Sequence, residues 1–196
     1  MPWVNCATAA ASQDPQATGT RLWNEPPQTI ARTYRRDEGG SAQQVTGGTV
    51  MLRQIILPKG LTAGAMTMAT NTTAKTGGSH GWYVVTDQYL NVLAVTADQT
   101  DAATVWGTIY TPYKLPFTSL LSCAYTGVYY AGVMIVATGR PNLVYTPGTN
   151  AGLWGAPPIL CGTSSAGQTT PPAVGSQLTA LTFSPACGWY ITLQSS

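Results

Sequence analysis

The sequence predicts an all-β fold: an antiparallel β-sandwich, jelly-roll-like, preceded by an extended N-terminal arm. Three observations lead there. Threonine dominates the polar residues, beside 21 glycines and 14 prolines. Threonine favours strands, and glycine and proline punctuate turns. Short apolar runs recur between those turn signals from position 49 onward, about eight of them, the spacing of a sandwich. No stretch carries the charged stripe of a surface helix.

Taken in order, residues 1–44 read as the arm and residues 45–196 as one sandwich domain. The arm holds Pro2, Pro15, Pro26 and Pro27, few aliphatic side chains and most of the opposite-charge mixing. Trp3, Leu22 and Trp23 are its natural anchors, because a large aromatic docked on a neighbour can hold a segment that has no core of its own. From position 49, TVMLRQIIL is a strand closed by a Pro58-Lys59-Gly60 turn. Residues 61–70 alternate weakly, with Met66 and Met68 on one side, and NTTAKTGG is a polar loop. Residues 82–86 (WYVVT) and 90–96 (LNVLAVT) form a pair joined through Asp87, Gln88 and Tyr89. Pro112 and Pro116 frame a short edge segment.

Residues 125–138, YTGVYYAGVMIVAT, are the longest apolar stretch, and neither of their period-two faces carries a charge. A strand with that pattern is covered on both sides. Fourteen extended residues would span about 46 Å, so a bend or bulge is expected at Gly127 or Gly132. After a Gly-Arg-Pro-Asn turn come a short strand at 143–145, a long loop holding Trp154, a brief strand at 159–161, and two last strands at 178–183 and 188–193.

Charge is scarce. Nine Lys/Arg against seven Asp/Glu leave a net +2, and 8% of residues are charged, against about 25% in a typical soluble domain. After Asp101 there is no acidic residue, and Lys114 and Arg140 are the only basic ones. Such a chain hides surface in an assembly or wets it with neutral polar groups. The balance is too small to recruit nucleic acid. No apolar run reaches the length of a membrane helix, and no signal peptide is expected. Cys6, Cys123, Cys161 and Cys187 lack metal-knuckle spacing. They are expected to be buried free thiols, with a Cys161–Cys187 pairing as the alternative.

Catalytic groups are thin. A Ser79/His80/Asp87 constellation can be drawn, but neighbours on a strand point to opposite faces, so a loop histidine is the plainer expectation. Asp98 and Asp101 fall short of a calcium loop and suit turn capping. The two glutamates, Glu25 and Glu38, both lie in the arm. No catalytic residue, metal or cofactor is therefore assigned, and the chain is not expected to be an enzyme. Most of the Trp and Tyr residues from 82 onward are expected to fill the core. Trp154, in Gly152-Leu153-Trp154-Gly155, is the one expected to contact a ligand or partner.

Four phrases carry a resemblance: LAVTADQT at 93–100, YTGVYYAGV at 125–133, PILCGTS at 158–164 and TTPPAVG at 169–175. Together they resemble virion proteins of phages that infect actinobacteria, of the minor tail or capsid accessory type, over about residues 49–193. The resemblance implies a structural protein displayed on the particle, similar to the trimeric domains of complement and tumour-necrosis type. It hands over no catalytic residue. On this reading the arm attaches to a tail or capsid neighbour through Trp3, Leu22, Trp23, Arg35 and Arg36. Tyr129, Tyr130 and Met134 face a second and third copy across the trimer. The expected location is the virion, assembled in the host cytoplasm. The alternative is a receptor module that binds host cell-wall sugar.

Overall fold

Strand-forming residues are placed here as the alternation demands, in a computed structural model that describes residues 29–33, 41–100, 104–145, 161–184 and 188–195. Twelve strands and no helix are found among the described residues: β1 (Thr29–Arg32), β2 (Ser41–Gln44), β3 (Thr49–Leu57), β4 (Thr62–Ala69), β5 (Thr76–Asp87), β6 (Val92–Val95), β7 (Pro112–Ser122), β8 (Gly127–Gly139), β9 (Asn142–Tyr145), β10 (Cys161–Ala166), β11 (Thr182–Phe183) and β12 (Ile191–Gln194).

They form a four-stranded sheet in the order β1-β12-β4-β7 and a six-stranded sheet in the order β11-β10-β3-β8-β5-β6, with β2 and β9 as a separate pair. All pairings between these strands are antiparallel. The main core lies between the two large sheets. Met66 and Met68 of β4, Leu115 of β7 and Ile191 and Leu193 of β12 meet Met51, Ile55, Tyr83, Val85, Tyr129, Ala131, Val133 and Ile135.

The double cover expected for 125–138 is found, and its source is the chain itself. The odd residues of β8 enter the main core. The even ones, Tyr130 and Met134, join a second cluster with Val50, Leu52, Trp82, Val84, Leu90, Val92 and Leu178. Tyr129 and Met134 are fully buried and Tyr130 is 5% exposed within one chain. This corrects the expectation that these three side chains meet other copies: the second apolar face is sealed by Leu90 and Leu178, which the sequence separates by most of the domain.

Three further expectations are adjusted. β8 does not bulge at a glycine, and its register with β3 runs unbroken from Val133↔Met51 to Gly127↔Leu57. The irregularity lies in the partner, between Gly78 and His80 of β5. The segment framed by Pro112 and Pro116 grows to eleven residues. It is an edge strand, where a missing N–H costs no ladder bond. Finally, β1 and β2 fall on the arm side of residue 44: β1 pairs with β12 and β2 with β9. The sheets therefore take in residues from 29 onward.

The aromatic core is as expected. Trp82, Tyr83, Trp106 and Trp189 are fully buried. The Trp106 indole donates to the Tyr83 hydroxyl at 3.0 Å, and that hydroxyl donates to the Tyr113 carbonyl at 3.2 Å. Lys75, 5% exposed, sets its ammonium 5.5 Å from the Trp106 ring centre, a cation–π contact in which the stem is buried with the ring. Cys123 is a buried free thiol and Cys161 is buried, while Cys187, the other half of the alternative pairing, lies outside the described residues. Burial pushes the Cys123 thiol above its usual range.

Candidate binding cleft

The turn between β5 and β6 starts from one carboxylate. Asp87 Oδ1 accepts the backbone amides of Tyr89 at 2.8 Å and Asn91 at 2.9 Å, and Oδ2 accepts the Asn91 side-chain amide at 2.8 Å. An aspartate at the head of a tight turn does this because its short side chain reaches the amides two and four residues on. The turn holds Leu90 at φ 67°, a left-handed conformation costing a β-carbon residue on the order of 1 kcal/mol or more. Burial of the Leu90 side chain in the second cluster offsets that cost. The same geometry turns Tyr89 outward, leaving it 64% exposed.

Residues 177–181 form the facing wall. The sequence suggests a strand over 178–183, but only β11 is one. The amide of Leu178 donates to the Leu90 carbonyl at 3.0 Å, and that of Val92 to the Ser176 carbonyl at 2.8 Å. The Gln177 side-chain amide donates to the Tyr89 carbonyl at 2.8 Å. Thr179 Oγ1 accepts the Ser165 amide at 2.6 Å, and the Ser164 hydroxyl donates to the Thr179 carbonyl. The backbone bonds of Leu178 and Thr179 are thus spent on the β5–β6 turn and on β10 rather than on a ladder.

Between these walls an open cleft of about 580 Å³ is lined by Gln88, Tyr89, Tyr130, Gln177, Leu178 and Leu181 among others, none of them charged. Tyr130 of β8 forms part of its lining, and burial raises its phenol above the ordinary value. No hydrogen bond engages that hydroxyl among the described residues. It is not one of the buried side-chain polar atoms that lack a partner, so water reaches it at the cleft, and a polar atom entering the cleft can take the place of that water.

A second polar cluster sits at the far end of β5. His80 Nδ1 lies 2.7 Å from Asp98 Oδ2, and Asp98 Oδ1 accepts the Gly81 amide at 2.9 Å. The partner of His80 is therefore Asp98, while Asp87, the carboxylate of the constellation drawn from the sequence, is committed to its turn. No Ser, Thr or Cys is hydrogen-bonded to the imidazole among the described residues, and no group of three metal-ligating side chains occurs among them. Asp98 does not cap its own turn, the role expected for it, but reaches across 17 residues to the Gly81 amide on β5. Asp101 lies outside the described residues.

Of the contact residues expected from the sequence, Trp3, Leu22, Trp23, Arg35, Arg36 and Trp154 also lie outside the described residues. Tyr130 is a cleft residue, and Tyr129 and Met134 are core. Gln88, Tyr89 and Gln177 escaped the sequence reading. The signal for Tyr89 was present, a large aromatic at the tip of a turn headed by aspartate. Gln177 left none, since only the fold brings it to Tyr89. No protein-family model matches the chain, and neither a curated protein nor a solved structure is significantly similar to it.

Proposed function

We propose that this chain is a non-enzymatic structural protein of a phage particle, displayed on its tail or capsid, anchored by its N-terminal arm and trimeric. The resemblance of its sequence phrases to virion proteins suggests the setting, and the order of the sheets carries the structural side of the reading. Eight strands pair as a nested ribbon, first with last: β1 with β12, β3 with β8, β4 with β7 and β5 with β6. The ribbon rolls so that β12 meets β4 and β8 meets β5. That wrapping supports a jelly roll of the complement and tumour-necrosis type, an architecture that serves in capsid and lectin domains. The step from fold to role is analogy.

Trimer formation is favoured by where exposed apolar residues fall. Ile30 on β1 and Leu120 on β7 occupy opposite edges of the four-stranded sheet, 42% and 62% exposed. A ring of three joins two different patches on each copy, and these edges offer them in place of Tyr129, Tyr130 and Met134.

Purified particles probed for the chain test the proposal, with a variant lacking residues 1–28. The cut stops at 28 because β1 and β2 are paired in the sheets. The chain should be present in particles, and the shortened protein should fold and trimerise but be missing from them. Absence of the intact chain refutes the virion role, and normal incorporation of the shortened one refutes the arm.

A second reading, a receptor module for host cell-wall sugar, is favoured by one observation: the uncharged, aromatic-lipped cleft.

A further inference from the structure

We propose that the cleft between the Asp87–Asn91 turn and residues 177–181 binds a neutral saccharide, one ring face stacked on Tyr89 and hydroxyls held by Gln88, Gln177 and Tyr130. The inference rests on the receptor reading and deepens it by naming the site and the ligand class.

Charge decides the class first. None of the residues lining the cleft is charged, so an ionic ligand would lose water without meeting a counter-charge. The Asp87 carboxylate beneath the turn is already filled by three N–H donors. The polar groups on offer are primary amides and a phenol, each able both to donate and to accept. Sugar hydroxyls have the same dual character.

Shape and order point the same way. Tyr89 stands out of the turn with its ring exposed, a flat surface for the C–H face of a pyranose or furanose. Gln177 has one amide N–H fixed on the Tyr89 carbonyl, leaving a second N–H and the carbonyl oxygen for a ligand. Tyr130, almost wholly buried, has a hydroxyl unengaged by any described residue. Burial keeps that phenol protonated, and thus a donor, throughout the neutral range. A cleft of about 580 Å³ lies within the usual range of small-molecule sites. Both walls are tied to each other before any ligand arrives, through Leu178 to Leu90 and Gln177 to Tyr89, and the Gln88 amide donates to the Tyr125 hydroxyl at 3.2 Å, fixing the turn further. Little ordering cost is left for binding.

The test titrates the full chain by NMR and calorimetry with neutral oligosaccharides of different linkage: an N-acetylglucosamine trimer, maltotriose, and arabinan and galactan fragments. An acidic sugar oligomer, an uncharged peptide and isolated actinobacterial cell walls are run beside them. Saturable binding of at least one neutral saccharide is expected. Tyr89→Ala should weaken it about tenfold, and Gln177→Ala and Tyr130→Phe about three- to tenfold each. Tyr130→Phe removes one oxygen and keeps the packing, so it reports the contact with no change in fold.

If walls or sugars bind and all three variants bind as well as the parent, the cleft assignment is wrong while the receptor reading stands. If only the acidic oligomer or the peptide saturates the cleft, the ligand class is wrong. If the parent binds none of the probes, both the inference and the receptor reading fall.

Discussion

Replacing Gly132 with alanine is the sharpest probe of how the six-stranded sheet is built. Gly132 lies midway along β8 and pairs with Leu52 of β3 on one side and Val84 of β5 on the other. A β-carbon placed there would lie 1.9 Å from the Met51 carbonyl oxygen, 2.8 Å from its carbon and 2.9 Å from the Leu52 Cα. Comfortable separations between such atoms are about 3.5 Å, so the backbone of β3 must retreat by on the order of 1.5 Å. No side chain can yield in its place, because all three atoms are main chain. A shift of that size breaks one or two ladder bonds at about 0.5–1.5 kcal/mol each, on top of about 1–3 kcal/mol of overpacking. The sum, about 2–6 kcal/mol, is a large part of the 5–15 kcal/mol that holds a typical domain together.

Chemical denaturation of the parent and Gly132→Ala measures the difference. Gly60→Ala is the control, since Gly60 has φ 82° but nothing within 4 Å of the added carbon, so it reports backbone strain alone, about 1–2 kcal/mol. A Gly132→Ala protein no less stable than the Gly60→Ala control would refute the close approach of β3 and β8.

Other outcomes follow from single groups. Asp87→Ala should cost about 1–2 kcal/mol in denaturant melts and speed hydrogen exchange at the Tyr89 and Asn91 amides, because two backbone donors lose their acceptor; unchanged exchange would contradict the capping role. Burial lifts the Tyr83 hydroxyl well above its ordinary value near 10. From about pH 10 upward the unfolded chain therefore gives up this proton before the folded one, and stability falls with rising pH by up to ~1.4 kcal/mol per unit, while below pH 10 the group adds no slope. Urea midpoints between pH 9 and 11 should show that fall, and Tyr83→Phe should make it shallower, the remainder coming from Tyr129 and Tyr130, which burial raises as well. Cys123, buried and held in the thiol form, should react with iodoacetamide ~tenfold or more slowly in the native state than in urea. Leu120→Asp should shift the protein from trimer to monomer in sedimentation, if the β7 edge joins the copies.

The strands that could be read from the sequence share a property: their partners lie on both faces, so apolar side chains dominate both of their period-two faces. β3 has the bounds expected for it, and the long strand at 125–138 falls within about two residues of β8. The β5–β6 turn was equally plain, since Asp87 supplies its chemistry locally, but β5 begins at Thr76, inside the stretch expected to be a polar loop, and takes in His80, expected to be a loop histidine. Residues 178–183 misled because LTALTF is rich in residues that suit strands, while its backbone is diverted by bonds to Leu90 and Ser165 that no local pattern announces. The strands at 29–32 and 41–44 were lost in the arm for a related reason. Four-residue edge strands are held by a neighbour's ladder rather than by their own pattern.

Composition and period determined the class of this fold, its turns, its doubly buried central strand and its scarcity of charge, because each depends on residues close together in the chain. Tertiary structure alone decided what covers that strand's second face and where a cleft opens. Leu178 and Gln177 reach Leu90 and Tyr89 across nearly ninety positions (177 − 89 = 88). Such a contact is specified by the rolling of two sheets, and a linear pattern carries no record of it.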